Sequence, residues 1–180
     1  IKHITRISRI EEDKYVWLDK FTIRNLEIFR SFDEDSSTLL KILDKTISPP
    51  GSRLMRRWMA LPLKNIQTIQ ERLDLTEFFI QNSEIKDQIS KLIKQTGDPE
   101  RINSKIASQK INPRDVYQLK LALFAVEEMK TICEASDNEH LKKLSDGLNP
   151  CIHIRNRIHN EIQDDPPTAV VKGNVMKEGI

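Results

Sequence analysis

Apolar side chains recur every three or four positions along most of the chain, the spacing that places residues on one face of an α-helix. The clearest stripe predicts a helix from about 113 to 134. Its inward face carries Val116, Leu119, Leu123, Val126 and Cys133. Further stripes predict helices that begin near residues 20, 39, 48, 65, 83, 98, 140 and 149. The first of these is expected to extend to about residue 31 and to bury Phe21, Leu26 and Phe29.

Capping residues followed by proline mark several of these helix starts. Ser48, Asp98 and Asn112 each precede a proline, and a short polar side chain followed by proline is a typical first turn of a helix. Asn65 and Ser83 are expected to cap two more helices, and Gly97 is expected to end one. The long helices contain no internal glycine or proline, so the pattern predicts stiff helices.

Both ends of the chain have a β-like pattern. Residues 1–18 include the β-rich run from Tyr15 to Leu18, which predicts a paired strand. Residues 169–176 resemble a hairpin with a Gly-Asn turn. The sequence therefore predicts a mainly α fold, an elongated helical bundle with short β segments at both ends.

Composition narrows the function classes. Of 180 residues, 31% are charged, and 29 basic residues nearly balance 27 acidic ones, giving a net charge of +2. A free-standing nucleic-acid-binding module is usually more basic. No apolar run reaches the roughly 18 residues of a membrane span, and two cysteines favour a reducing compartment. Because the chain starts at Ile1 and stops within a strand-like pattern, we expect it to be a piece of a longer protein.

Candidate chemistry is sparse. Ser83 and Lys86 match the S-x-x-K pattern of serine acyltransferases, but Ser83 is better explained as a helix cap, and the companion S-D-N and K-T-G motifs are absent. Cys151, His153 and His159 are the closest soft metal ligands, yet their spacing does not suit zinc. The acidic pair Asp164-Asp165 and the run 33–35 are interpreted as solvated loops and caps. We therefore predict no catalytic, cofactor or metal site in this chain.

A basic cluster occupies the helix predicted after Ser48. Arg53, Arg56 and Arg57 are spaced to share one helix face, with Lys64 nearby. This face could contact phosphate or an acidic partner, or it could be a solvated outer face. Between Arg53 and Arg57 the sequence has no aromatic residue of the kind that a single-strand binder interleaves with its basic side chains.

Several stretches, in order along nearly the whole chain, resemble motifs of the bacterial MutS family of DNA mismatch-recognition proteins. Residues 18–28 are similar to its D-x-x-T-x-x-N-L-E signature. Residues 38–63 resemble its L-D-x-T-x-T-P-M-G-x-R segment and the following W-x-x-x-P-L. Shorter matches lie at 69–74, 97–102, 112–115 and 165–179. The departures are Ser48, Pro50, Pro99 and Asn174, none at a position of catalytic chemistry.

The resemblance implies a domain assignment. Residues 1–18 would lead in from a connector, 19–164 would form a helical core or lever domain, and 165–180 would begin a DNA clamp. Such a lever couples an ABC-type ATPase to the clamp, without catalysis of its own. The resemblance also implies a longer parent with ATP and Mg²⁺, a homodimer on mismatched duplex DNA, a MutL-like partner, no membrane association, and a cytoplasmic, nucleoid-associated location.

Five residues in the matching motifs are candidates for structural coupling. Asn25 and Glu27 are expected to hold the first helix, and Gly51, Arg53 and Trp58 to anchor the helix after Ser48. A network of helix caps and a buried indole would explain the same residues without any coupling role. Two other functions remain open, a helical protein-interaction scaffold and a small helical enzyme that uses Ser83 with Lys86 or Cys151 with His153.

Overall fold

The computed structural model describes residues 12–33 and 36–179, with Glu12 and Lys172 described by their backbone only. The chain divides into two compact units, residues 1–74 and 75–180. The described residues are mainly α-helical, as the sequence predicts. The helices are α1 (Lys20–Asn25), α2 (Leu39–Leu43), α3 (Pro49–Ala60), α4 (Ile66–Gln81), α5 (Ser83–Thr96), α6 (Pro99–Ala107), α7 (Pro113–Ala135), α8 (Glu139–Asp146) and α9 (Ile152–Glu161).

The first helix is shorter than predicted. Asp19 caps α1, and the helix ends at Asn25 because Glu27 adopts a left-handed backbone conformation with φ of 47°. The expected burial of its apolar face is wrong, since Phe21 is 76% exposed and Leu26 is also exposed. Ile28, beyond the helix, is the buried residue of this segment.

The predicted β pair near the N-terminus does not form a strand in the described residues. Residues 1–11 of that prediction lie outside the described part of the chain. Residues Glu12–Lys14 form one turn of 3-10 helix, and Tyr15 makes an isolated antiparallel bridge to Leu63. The Val16 N–H donates to the Pro62 carbonyl at 2.7 Å.

The second unit has its apolar core along α7. Leu92, Ala125 and Met129 form the buried cluster, and α5, α6, α8 and α9 pack along the same helix. The observed bounds of α7 match the predicted helix from 113 to 134 closely. Asn112 and Asp115 form a capping box at its start, in which each side chain accepts from the other's backbone N–H.

Two predicted helix starts are displaced. Ser83 is the first residue of α5 instead of its cap, and Asn82 holds the cap position without a side-chain cap bond. The last helix begins at Ile152, two residues later than Asn149-Pro150 suggested. Cys151 precedes it with φ of 43°, and its N–H donates to the Asn149 side chain. In both cases the pattern located the helix but misjudged its first turn.

The predicted terminal hairpin is wrong. Residues Val170–Lys172 form a 3-10 turn, and Met176 makes an isolated bridge to Ile162. The Gln163 N–H donates to the Val175 carbonyl at 3.0 Å, so the segment around Val175 pairs with the end of α9. Contacts to α7 hold the intervening segment, because the Arg114 Nε donates to the carbonyl of the buried Pro166 at 3.1 Å.

Candidate coupling site

Glu27 joins the end of α1 to the start of α2. Its carboxylate accepts hydrogen bonds from the Phe32 N–H at 2.8 Å and the Ser31 hydroxyl at 3.3 Å. Its carbonyl accepts from the Leu39 N–H at 3.0 Å, which satisfies a free donor in the first turn of α2. Asn25 is the last residue of α1 and has an exposed side chain.

A short polar cluster caps the beginning of α3; we call it the α3 cap and define it as Asp44, Thr46, Ser48, Gly51 and Ser52. Asp44 accepts from the Thr46 hydroxyl at 2.6 Å and from the Ser52 hydroxyl at 2.5 Å. These hydrogen bonds, with Ser52 the stronger influence, lower the pKa of Asp44. Ser48 accepts from the Gly51 N–H at 3.3 Å as the predicted N-cap.

Gly51 has its place in this cluster because the space is tight. A Cβ at residue 51 would lie 3.1 Å from the Ser48 Oγ and 3.3 Å from the Thr46 Cβ. Thr46 and Ser48 are both held by hydrogen bonds of the α3 cap, so neither side chain can move away from an added Cβ without losing a hydrogen bond. The glycine in this MutS-like segment therefore has a local physical reason, the lack of space for a side chain at residue 51.

Trp58 stacks with an arginine from α4. The Arg72 guanidinium carbon lies 3.6 Å from the centre of the indole ring, within the range of a cation–π contact. Burial lowers the pKa of Arg72. The indole is 41% exposed, so the alternative reading of Trp58 as a buried core residue is wrong. A cavity of about 240 Å³ beside this pair is lined by Tyr15, Leu54, Arg57, Trp58, Leu61 and Arg72.

The sequence did not single out Arg72, although it lies in the matching stretch 69–74. The stack joins two motif stretches that are separate along the chain. Sequence spacing alone cannot reveal this pairing, because it depends on how α3 and α4 pack.

The three arginines of the predicted basic cluster have different surroundings. The Arg56 guanidinium carbon lies 4.4 Å from the centre of the Phe29 ring, whereas Arg57 lines the cavity next to Trp58. Arg53 is exposed and also has an interaction partner. The structure therefore places an aromatic ring, Phe29, against Arg56 of the basic cluster, although the two residues are far apart in the sequence.

The other candidate chemistry is not assembled into a site. Lys86 lies 3.5 Å from Asp87, with both side chains largely exposed, while Ser83 occupies the first turn of α5. His159 contacts the Phe124 ring edge-to-face at 5.9 Å. Across residues 12–33 and 36–179, no three potential metal ligands of the Cys, His, Asp and Glu types come together.

Ion pairs, and not solvation alone, account for the acidic segment after α9. Asp164 accepts from the Lys120 Nζ at 2.7 Å, and Lys120 is only 4% exposed. This hydrogen bond is the main reason that the pKa of Asp164 is lowered. Arg155, also buried, pairs with Glu127 and lies over the Phe124 ring. Asp164 and Asp165 are exposed loop residues, as interpreted from the sequence, and the structure adds the ion pair between Asp164 and the buried Lys120.

Comparison with known proteins identifies the family. The family description "MutS domain III" matches residues 21–178. The chain belongs to the MutS domain III family. Similar proteins named DNA mismatch repair protein MutS occur in Bacteroides fragilis, at 47% identity over 180 residues, and in Bacteroides thetaiotaomicron, at 48%. A further one, from Flavobacterium johnsoniae, is 43% identical. Each match covers 100% of this chain but only 21% of the relative.

The MutS-like stretches coincide with the contacts described above. Residues 18–28 include Glu27, residues 38–63 contain the α3 cap and Trp58, and residues 69–74 contain Arg72. Hydrogen bonds and one ring contact connect these stretches within the first unit. Among the described residues, no helix combines the length and the apolar character needed to cross a membrane.

Proposed function

We propose that this chain is the helical core or lever domain of a longer MutS-type mismatch-repair ATPase. The observation that carries the proposal is the match to MutS domain III over residues 21–178, joined to relatives named for DNA mismatch repair. In this proposal the chain performs no catalysis. It couples the nucleotide state of an ATPase module to the state of a DNA clamp.

The build of α7 supports a mechanical role. The helix has 23 residues and, at about 1.5 Å per residue, spans about 34 Å. After Pro113 it contains no proline or glycine, so it has none of the usual causes of a kink. An unkinked helix transmits displacement from end to end, which a two-state rigid-body transition requires.

The coupling residues act by holding short helices in register. Glu27 ties α1 to α2, Gly51 allows the close α3 cap, and Trp58 stacks on Arg72. We propose that Asn25 and Arg53 supplement these anchors at the exposed ends of the same motifs. A shift at one end of the first unit would then be passed on by several contacts together.

The longer protein would have the partners of its family. We propose ATP with Mg²⁺ in a separate module, mismatched duplex DNA, a second identical subunit and a MutL-like protein. We also propose that it works in the cytoplasm and associates with the nucleoid when bound to DNA. Residues 165–179 would lead toward the clamp in that protein.

The deciding experiment uses the complete reading frame that contains this chain. ATP turnover is measured with and without mismatched duplex, and mismatch binding is measured separately. Glu27→Ala should leave basal turnover and DNA binding in place but reduce the response of turnover to mismatched DNA about tenfold. Glu84→Gln, an exposed position on α5, is the matched control and should respond like the parent.

Absence of ATPase activity from the complete protein would reject the proposal. An unchanged DNA response in Glu27→Ala would reject the role of Glu27 and leave the family assignment intact. A scaffold of unrelated function is favoured by one observation, the exposed apolar side chains Ile66 and Leu73 on one face of α4. That alternative predicts tight binding of an unrelated protein by this chain alone, with no dependence on nucleotide or DNA.

A further inference from the structure

A basic and aromatic cleft lies in the first unit, formed by α1, the loop that follows it, and α3. Its volume is about 710 Å³, within the range of pockets that hold ligands in proteins. Its charged and aromatic lining consists of Lys20, Arg24, Arg30, Arg56, Phe29 and Phe32. Arg56 belongs to the basic cluster seen in the sequence, whereas the other cations come from a separate segment, so folding alone assembles this group.

Two of the arginines are stacked on the aromatic rings. The guanidinium carbon of Arg24 lies 5.2 Å from the centre of the Phe32 ring, and that of Arg56 lies 4.4 Å from the centre of the Phe29 ring. Stacking occupies the face of a guanidinium but leaves the N–H donors at its edge available. Those donors form a fork that matches the two oxygens of a carboxylate.

In the part of the chain that the structure describes, none of the four cations forms an ion pair, and no carboxylate lines the cleft. The carboxylate of Glu27 lies beside the cleft, where it accepts hydrogen bonds from the lining residues Ser31 and Phe32. Cations of the second unit behave differently, because Lys105, Lys120 and Arg155 are each paired with an acid. Four like charges around one recess repel one another, so a bound anion would stabilise this arrangement.

We propose that the cleft is a docking site for an acidic polypeptide segment of a partner protein. The segment would carry carboxylates on either side of an aromatic or aliphatic side chain. The guanidinium forks would bind the carboxylates, and the apolar side chains of Ile23, Phe29 and Phe32 would contact the apolar one. Charge complementarity and the mixed lining favour this occupant. This inference does not depend on the proposed lever function.

A nucleic-acid occupant is less consistent with the cleft. Duplex DNA is bound by basic surfaces that follow its phosphates over several base pairs, and this cationic group is confined to a single recess. The chain as a whole has a net charge of only +2, which provides little further attraction for a polyanion.

The test is a fluorescence-anisotropy titration of the complete protein that contains this chain with a fluorescein-labelled peptide, Glu-Asp-Phe-Asp-Glu-Leu-Glu. We expect saturable binding at low salt that weakens as salt is added. The amide peptide Gln-Asn-Phe-Asn-Gln-Leu-Gln should bind at least tenfold more weakly. The double variant Arg24→Gln/Arg56→Gln should weaken the acidic peptide at least tenfold.

The matched control is Lys91→Gln/Arg101→Gln, which removes the same charge from exposed positions outside the cleft. It should change the affinity less than twofold. If the cleft double variant fails to fold by circular dichroism, Lys20→Gln replaces it, because Lys20 is exposed and its removal leaves both arginine–ring contacts in place. That variant should weaken binding about threefold.

Three results would overturn the proposal. The first is equal affinity for the acidic and amide peptides, or an equal loss in the cleft and control variants. The second is displacement of the peptide by a single-stranded oligothymidylate that binds more tightly than the peptide. That result would make the cleft a nucleic-acid site. The third is self-association in sedimentation velocity that the cleft variant abolishes, which would make a second copy of the chain the occupant.

Discussion

The two units of this chain are stabilised in different ways. The second unit buries a continuous apolar cluster along α7, including Leu92, Ala125 and Met129. In the described part of the first unit, Ile28 is the one hydrophobic residue that is fully buried. Its short helices are held mainly by caps, side-chain hydrogen bonds to the backbone, and arginine–ring contacts.

This difference indicates which of the two units is the more stable when the chain is isolated. Burial of large apolar side chains contributes about 1.5–3 kcal/mol each, whereas an exposed cap or ring contact contributes about 1 kcal/mol. The first unit leaves Phe21, Leu26 and Trp58 substantially exposed. We therefore propose that these side chains are covered in the longer protein, and that the first unit is the less stable one when the chain is isolated.

The largest expected effect compares one substitution in the two units. Leu141, 1% exposed on α8, and Leu26, 57% exposed after α1, offer the same Leu→Ala change. Leu141→Ala should lower the free energy of unfolding by about 3 kcal/mol, because it leaves a cavity in a packed core. Leu26→Ala should cost less than about 0.5 kcal/mol. Urea denaturation followed by circular dichroism measures both, and equal costs would refute the contrast between the units.

A smaller effect is expected at the α3 cap. Gly→Ala within a helix normally stabilises it, but Gly51→Ala should lower the free energy of unfolding by about 1 kcal/mol, since the new methyl group displaces the Ser48 cap. Gly147→Ala is the control, because its Cβ would meet nothing closer than 3.5 Å. In thermal melts the melting temperature of Gly51→Ala should fall, and that of Gly147→Ala should rise or change clearly less. A higher melting temperature for Gly51→Ala would argue against crowding at the α3 cap.

The smallest expected effect is a pH dependence that originates at Asp44. Hydrogen bonds from Ser52 and Thr46 place its folded pKa below the unfolded value of 3.8. Its stabilising contribution is therefore complete above that value and is lost as pH falls through the lower, folded pKa. Asp44→Asn should lower the melting temperature at about pH 6, and the difference from the parent should shrink toward about pH 2. A difference that is constant with pH would exclude Asp44 as the titrating group.

Local signals predicted the helical framework well. Ser48-Pro49, Asp98-Pro99 and Asn112-Pro113 each mark a helix start in the structure, because a cap residue followed by proline acts within a single turn. The same kind of reasoning failed for α1 and for the tail. Apolar periodicity cannot show that Glu27 will end a helix, or that Met176 will pair with Ile162.

The candidate coupling site was only partly predictable. Glu27, Gly51 and Trp58 were selected from motifs, and each makes a defined local contact in the structure. The contacts of Arg72 with Trp58 and of Phe29 with Arg56 were not predicted, because the two partners of each contact are distant in the sequence. The coupling role itself remains a prediction until the uncoupling variant is measured.

By itself, the amino-acid sequence determined where most helices begin, the mainly α class and the MutS resemblance, since all of these depend on neighbouring residues or on their order. Only the tertiary structure decided which arginines meet aromatic rings, which acids neutralise Lys120 and Arg155, and which apolar side chains stay exposed. The physical reason is that helix caps act over three or four residues, whereas stacking, ion pairing and burial depend on segments that folding brings together from distant parts of the chain.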